Sequence, residues 1–173
     1  MKKYVAYGIG AALVDTEIKV QDTELSQMNV EKGMMTLVDA DRQAELLSHL
    51  EGHLVKASHA SGGSAGNSMI AAAQFGGPTF MSCKVANDSD GDIYIADMEA
   101  AGVDHCLTGE REEGTTGKCL VLISPDAERS MNTNLSISET LSEEQLVPGA
   151  ITQSEYLYIE GYLVTSPTGR AAA

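Results

Sequence analysis

The sequence contains no tryptophan and only two phenylalanines in 173 residues. A core built from it must be aliphatic, with six Tyr and eight Met filling the irregular gaps. Basic residues are scarce as well. Eleven Lys and Arg stand against 25 Asp and Glu, a formal charge of −14. A phosphate backbone needs the opposite sign, so no nucleic-acid partner and no anionic membrane surface is expected. Cysteine is limited to Cys83, Cys106 and Cys119, an odd set without a CxxC pair. That excludes a disulfide framework and fits reduced thiols in a cytoplasmic protein. No long apolar run follows the lysines at positions 2 and 3, so neither a signal peptide nor a membrane span is expected. What remains is a globular chain: 43% hydrophobic, 21% charged, free of low-complexity tracts, and of a length that suits one domain or one large part of a domain.

Residues 4–9 form a short apolar run ending in Gly8-Ile9-Gly10, the pattern of a buried strand entering a glycine turn. Residues 17–21 alternate as an exposed strand does, Asp22 is placed to cap a helical piece through Met28, and residues 34–38 suit another strand. Asp39 is placed to cap a helix with Ala44, Leu47 and Leu50 on one face, and residues 54–58 return as a strand. After the stretch Ser61-Gly62-Gly63-Ser64-Ala65-Gly66-Asn67 a small-residue helix is expected over 68–75, then a strand over 79–85. A turn at 87–91 opens a helix to about Ala101, with Gly102 as its C-terminal cap. This alternation predicts a parallel sheet with crossover helices. From Gly114 the pattern changes to a hairpin, with strands over 118–124 and 128–132 around Pro125-Asp126. Ser142 caps a short helix that Pro148 stops, residues 156–160 are strand-like, and Ser166-Pro167 opens a last helix.

Gly62 to Asn67 is the most informative stretch, placed between a strand and a helix. Its glycines let a ligand approach the backbone, and a helix start exposes unpaired N–H donors. The Asn67 amide both donates and accepts, which suits a sugar hydroxyl. A tight turn that only packs the helix against the sheet accounts for the glycines equally well. Asp15 follows the first strand and its glycine turn, where α/β sheets commonly bind ligands. An ionised carboxylate there accepts two hydrogen bonds from a vicinal diol. Alone, Asp15 reads as a solvated loop acid; with Gly63 and Asn67 it completes what a ribose ring needs.

With these residues in order, the sequence resembles the N-terminal half of a ribokinase-type (PfkB) carbohydrate and nucleoside kinase, and most of all its adenosine-kinase-like members. The resemblance rests on Gly8-Ile9-Gly10 through Asp15, Gly62 through Asn67, Gly114-Thr115-Thr116-Gly117-Lys118-Cys119, Glu128-Arg129-Ser130-Met131-Asn132-Thr133, and Tyr158-Ile159-Glu160-Gly161-Tyr162. It implies an α/β fold, the N-terminal part of a ribokinase-like three-layer α/β/α sandwich. It also implies a small β-sheet lid with strands near residues 14–21, 34–38 and 115–133. By that resemblance Asp15 binds ribose hydroxyls, and Gly63 and Asn67 complete the sugar clamp. Leu37, Met131 and Thr133 contact the base or sugar, Arg129 sits near the phosphoryl-transfer region, and Glu160 and Tyr162 lie near the pocket floor. ATP and Mg2+ are implied for the intact enzyme, with a nucleoside or sugar as acceptor and a possible homodimer through the lid. The family's first signature usually has a small residue or Thr where Met69 stands, and a Gly near Ala86. Its second signature, a glycine-rich turn ending in the catalytic Asp, does not occur in these residues. The sequence is therefore expected to be an N-terminal part of a single kinase domain, without catalytic or metal-binding residues and inactive alone.

Other motifs fail on spacing. Gly117-Lys118 would need a Gly at Glu112 and a hydroxyl at Cys119 to be a phosphate loop. Asp88, Asp90 and Asp92 surround Gly91 too early for a calcium loop, and a turn with a helix cap explains them. His49, His53, His59 and His105 make no zinc-enzyme pattern. Gly8-Ile9-Gly10 is only part of a dinucleotide fingerprint, because Leu13 takes the third glycine position. Two further readings stand beside the nucleoside kinase: a ribokinase- or fructokinase-like sugar kinase, and a non-catalytic sugar- or nucleoside-binding module.

Overall fold

The computed structural model describes residues 2–52 and 58–173. Their elements run in the order β1 (Tyr4–Ile9), β2 (Leu13–Lys19), α1 (Asp22–Gln27), β3 (Met35–Leu37), α2 (Ala40–His49), β4 (Ser58–Gly62), α3 (Ser64–Gln74), β5 (Thr79–Ser82), α4 (Ser89–Ala100), β6 (Val103–His105), β7 (Gly117–Ile123), β8 (Arg129–Asn134), α5 (Pro148–Thr152), β9 (Ser154–Ile159) and α6 (Pro167–Ala172). They divide into two compact units. The larger takes the segments up to Val14, Ser61–Gly117 and Leu135–Ala173; the smaller takes Asp15–Ala60 and Lys118–Asn134.

The larger unit is built on a four-stranded sheet ordered β6-β5-β1-β9. Among the described residues β1 pairs parallel with β5 and β9, and β5 with β6, so these strands need crossover connections rather than hairpins. Neighbouring residues of β1 face opposite sides. On one side Gly8 leaves room for Met69 of α3: a Cβ at Gly8 would lie 2.8 Å from the Met69 Cγ. On the other side the Tyr7 hydroxyl contacts Ser82 Oγ at 2.5 Å and accepts from the Val147 N–H at 2.9 Å, just before α5. Helical layers thus cover both faces of the sheet. The core between them is aliphatic and Met-rich, as the missing tryptophan requires, with Tyr7 stacked on Phe80 at 5.2 Å.

The smaller unit is a five-stranded sheet ordered β3-β8-β7-β2-β4, with β7 and β8 antiparallel and β3 parallel to β8. Its own core joins Ile18, Val20, Leu120 and Leu122 of the sheet to Leu25, Met28, Leu46 and Leu50 from around α1 and α2. Because side chains alternate along each strand, the opposite face carries Asp15, Glu17, Cys119, Val121, Met131 and Thr133.

Several boundaries differ from the sequence reading. Helix α3 begins at Ser64, not Ser68, so Ser64-Ala65-Gly66-Asn67 is its first turn. Strand β2 begins at Leu13 rather than residue 17. Strand β4 covers Ser58–Gly62, while residues 54–57 of the expected 54–58 strand lie outside the described residues. The strand expected over 79–85 ends at Ser82, and the short β6 was not foreseen. Pro148 opens α5 at its first turn instead of only ending the preceding turn, which is a short 3-10 piece capped by Ser142.

Candidate functional site

In the larger unit the candidate residues gather where β1 ends and α3 begins. Gly63 is the residue before α3 and has φ +89°, a conformation that suits glycine. It is also packed too closely for a side chain, because a Cβ there would press on the Ala11 carbonyl oxygen. Asn67 lies in the first turn with its N–H donating to the Gly63 carbonyl at 3.0 Å. Its exposed carboxamide has no hydrogen bond among the described residues. Met69, where the family signature usually has a small residue or Thr, fills the space left by Gly8.

Glu160 ties this corner together. It follows β9 and is 4% exposed. Its Oε2 accepts the Ala11 N–H at 2.7 Å and its Oε1 accepts the Ser64 hydroxyl at 2.8 Å. Each carboxylate oxygen therefore has a protein donor, one from the loop after β1 and one from the start of α3. Gly10 is small for the same reason: a Cβ there would meet the Glu160 carboxylate, with Ala65 Cβ at 2.5 Å. Tyr162 stands in the 3-10 turn Gly161–Thr165, half exposed. The sequence pointed to Gly63 and Glu160 but carried no sign of Ala11 and Ser64 as their partners. A backbone N–H and a serine 149 and 96 residues away in the chain leave no local pattern.

In the smaller unit the candidates lie on the sheet face opposite α1 and α2. Leu37 pairs with Thr133 across β3 and β8, and Thr133 pairs with Cys119 across β8 and β7. Directly opposed residues share a face. The Thr133 hydroxyl donates to Cys119 Sγ at 3.3 Å. Burial pushes the Cys119 thiol up to about 11, and the nearby Asp15 charge pushes the same way. Asp15 itself is raised to about 6, first by burial, then by the Glu17 charge, against the pull of Arg129. Arg129 Nη2 holds Glu17 at 2.9 Å on the exposed surface. Met131 follows two residues along β8 and pairs with Met35 and Val121. The structure thus brings Asp15, Leu37, Met131, Thr133 and Arg129 onto one sheet face, while Gly63, Asn67, Glu160 and Tyr162 belong to the larger unit.

Asp15 is chemically the most distinctive of these groups. A half-buried carboxylate has lost part of its hydration, and hydroxyl donors from a ligand would replace it. Elsewhere the acids have plain duties. Asp88 caps α4 by accepting the Gly91 N–H at 2.8 Å and also takes the Thr116 N–H and hydroxyl. Among the described residues no group of three or more His, Cys, Asp or Glu is arranged to hold a metal ion. Among them, too, no helix is long and apolar enough to cross a membrane.

No curated protein matches the sequence significantly. Solved structures do. A crystal structure of adenosine kinase from Sinorhizobium meliloti is 36% identical, with a TM-score of 0.89 over 98% of this chain and 51% of that one. A probable sugar kinase from Rhizobium etli CFN 42 is 33% identical, with a TM-score of 0.91 over 99% of this chain and 51% of that one. Adenosine kinase from Anopheles gambiae, solved with P1,P4-di(adenosine-5) tetraphosphate, is 22% identical with a TM-score of 0.81, over 94% of this chain and 52% of that one; it speaks to the fold alone. The chain spans about half the length of these structures. The α/β architecture is the ribokinase-like one of these kinases, and the profile of the pfkB family carbohydrate kinases matches residues 29–172. By fold and by profile, the chain belongs to the pfkB family of carbohydrate kinases.

Proposed function

We propose that the chain supplies the acceptor-binding part of an ATP-dependent kinase that phosphorylates the 5'-hydroxyl of adenosine. The observation that carries this reading is Asp15, a partly desolvated carboxylate on a sheet face shared with Thr133, Leu37 and Met131. Such a carboxylate accepts two hydrogen bonds from a vicinal diol, while Leu37 and Met131 offer apolar contact to a base. In the larger unit Gly63 lets the start of α3 pack against the Ala11 carbonyl, and the exposed Asn67 carboxamide is available to a hydroxyl. The 36% identical neighbour is an adenosine kinase, which supports the nucleoside over a simple sugar. ATP is the phosphoryl donor that family membership implies. The described side chains do not by themselves form a magnesium site.

In this mechanism the chain's residues bind and orient; they do not take the proton from the attacking hydroxyl. Asp15 is assigned to the diol, and both Glu160 oxygens already accept from Ala11 and Ser64. The resemblance to the family assigns the general base to an Asp ending a glycine-rich turn, a motif that does not occur in these 173 residues. The chain alone is therefore inactive. Calorimetry should show adenosine binding that Asp15→Ala abolishes, and a coupled ADP-release assay with adenosine and Mg-ATP should show no turnover. Turnover by the unaltered chain would overturn the inactivity. A second reading, a ribokinase- or fructokinase-like sugar kinase, is favoured by the 33% identical probable sugar kinase. Tighter binding of ribose or fructose than of adenosine would select it.

A further inference from the structure

Two thiols meet where β5 and β6 end. Cys83 follows β5 and Cys106 follows β6, and these strands are parallel neighbours with Met81 paired to His105. The ladder continues one step further, with the Cys106 N–H donating to the Met81 carbonyl at 3.1 Å. Cys106 Sγ then lies against the Cys83 backbone: it donates to the Cys83 carbonyl at 3.2 Å and stands 3.4 Å from the Cys83 nitrogen, whose N–H points at it. Both contacts run from the Cys106 sulfur to the Cys83 main chain, which sets the two residues side by side. Their environments differ. Both residues line a cavity of about 290 Å³, but Cys83 is completely buried whereas Cys106 is partly exposed. Lys84, Arg111, Glu112 and Glu144 bring charges of both signs to that cavity. Lys84 is held by Glu112 at 2.8 Å and Arg111 by Asp92 at 2.5 Å.

The protonation of the pair follows from this asymmetry. The Cys106 thiol is drawn down to about 7, chiefly by the hydrogen bond from Cys83, with burial opposing and the Cys83 backbone and Ser82 hydroxyl assisting. Cys83 moves well above its ordinary value, because of Cys106 and its own burial. One sulfur is thus disposed to be a thiolate within reach of solvent, and the other remains a thiol behind it.

We propose that Cys106 and Cys83 form a peroxide-sensitive modification site, in which Cys106 is oxidised from the cavity and Cys83 closes a disulfide between the ends of β5 and β6. In the first step the Cys106 thiolate attacks a peroxide oxygen. An S–O bond forms, the O–O bond breaks, hydroxide leaves, and sulfur is oxidised to a sulfenic acid while peroxide is reduced. In the second step the Cys83 sulfur attacks the Cys106 sulfur. The S–S bond forms, the S–O bond breaks, and the Cys83 proton leaves with the hydroxyl as water. A dithiol reductant reverses the product. Cys119 is the internal control, because it is buried in another sheet and raised to about 11.

The site is tested on the reduced 173-residue chain. At pH 7.5 iodoacetamide should label Cys106 at least about tenfold faster than Cys83 or Cys119. After one equivalent of hydrogen peroxide, blocking and trypsin digestion, mass spectrometry should find one linked pair of peptides. Cleavage at Lys84 and Arg111 puts the two cysteines on separate peptides. The link should join Cys83 to Cys106 and disappear with dithiothreitol. Cys83→Ser should stop at a Cys106 sulfenic acid that dimedone traps, and Cys106→Ser should leave Cys83 unmodified. Equal labelling of all three thiols, a link through Cys119, or conversion of Cys106 to sulfinic acid without a link would each overturn the proposal. Should a variant fail to fold, the labelling order and the link in the unaltered chain decide alone.

Discussion

At the scale of single residues, the candidate site holds groups that fold at a cost. Asp15 is raised to about 6 in the fold from an ordinary 3.8. A carboxylate whose pKa is raised destabilises the folded state where it is ionised, above pH 6, and this penalty fades as pH falls toward 4. Asp15→Asn should therefore raise the melting midpoint at pH 8 by about 2–4 °C, the size of an effect near 1 kcal/mol once solvent screening is allowed for. By pH 4 the gain should shrink toward zero. An equal gain at both values would show that the charge is not the cause. The same variant should lose adenosine binding, and the unaltered chain should bind more weakly as pH drops through 6. In the larger unit, Gly63 tests the packing at the start of α3. Gly63 and Gly76 share φ +89°, but only Gly63 has a backbone oxygen where its Cβ would go. Both alanine variants carry the strain of a left-handed backbone, about 1–3 kcal/mol. Gly63→Ala should lose clearly more than Gly76→Ala in urea unfolding, and equal losses would mean that the Ala11 contact relaxes freely.

At the scale of elements, the parts legible in the sequence are those with a local chemical start. Asp39 accepts the Arg42 N–H at 2.8 Å, Asp88 accepts the Gly91 N–H at 2.8 Å, and Ser166 accepts the Gly169 N–H at 3.0 Å. Each side chain caps the helix that follows; α2 and α6 begin where the sequence places them, while α4 begins at Ser89, inside the expected turn at 87–91. The α3 start has no such marker. Its cap is Gly63 with no side-chain bond, and the stretch Ser64-Ala65-Gly66 reads as loop while Glu160, far along the chain, holds it in a helix. Strand β6 is three residues long and gains its identity from β5 beside it. Asp15, Gly63 and Asn67 stood out in the sequence because their types suit a polyol, but the pairing of Leu37 with Thr133 exists only once β3 and β8 meet. The cap at α2 can be tested directly. Asp39→Ala should cost about 1 kcal/mol and Asp39→Asn much less, read as a shift of the urea midpoint at constant slope. Loss of the same size for both would point to charge near the helix end instead of the hydrogen bond.

At the scale of the whole chain, no linker announces the two units. The chain passes between them at residues 14–15, 60–61, 117–118 and 134–135, inside β2, β4 and β7 and at the end of β8. Such crossings continue a strand, so composition does not change at them and the sequence shows no boundary. Among the described residues, β9 lies at one margin of the larger unit's sheet and pairs with β1 alone. Tyr156, Leu157, Tyr158 and Ile159 of that strand are 69%, 50%, 37% and 43% exposed, so both of its faces present apolar side chains beside an unpaired edge. Open edges and apolar patches of this kind drive strand pairing between molecules. The charge of −14 opposes assembly at long range, and salt screens that repulsion. Sedimentation should show the chain self-associating with concentration, and more strongly at 0.5 M than at 0.05 M sodium chloride (concentrations of roughly this order bracket the Debye lengths at issue). Leu157→Lys should shift the distribution toward monomer without changing the far-UV circular dichroism. A monomer at high concentration and high salt in the unaltered chain would show that the β9 margin is not adhesive.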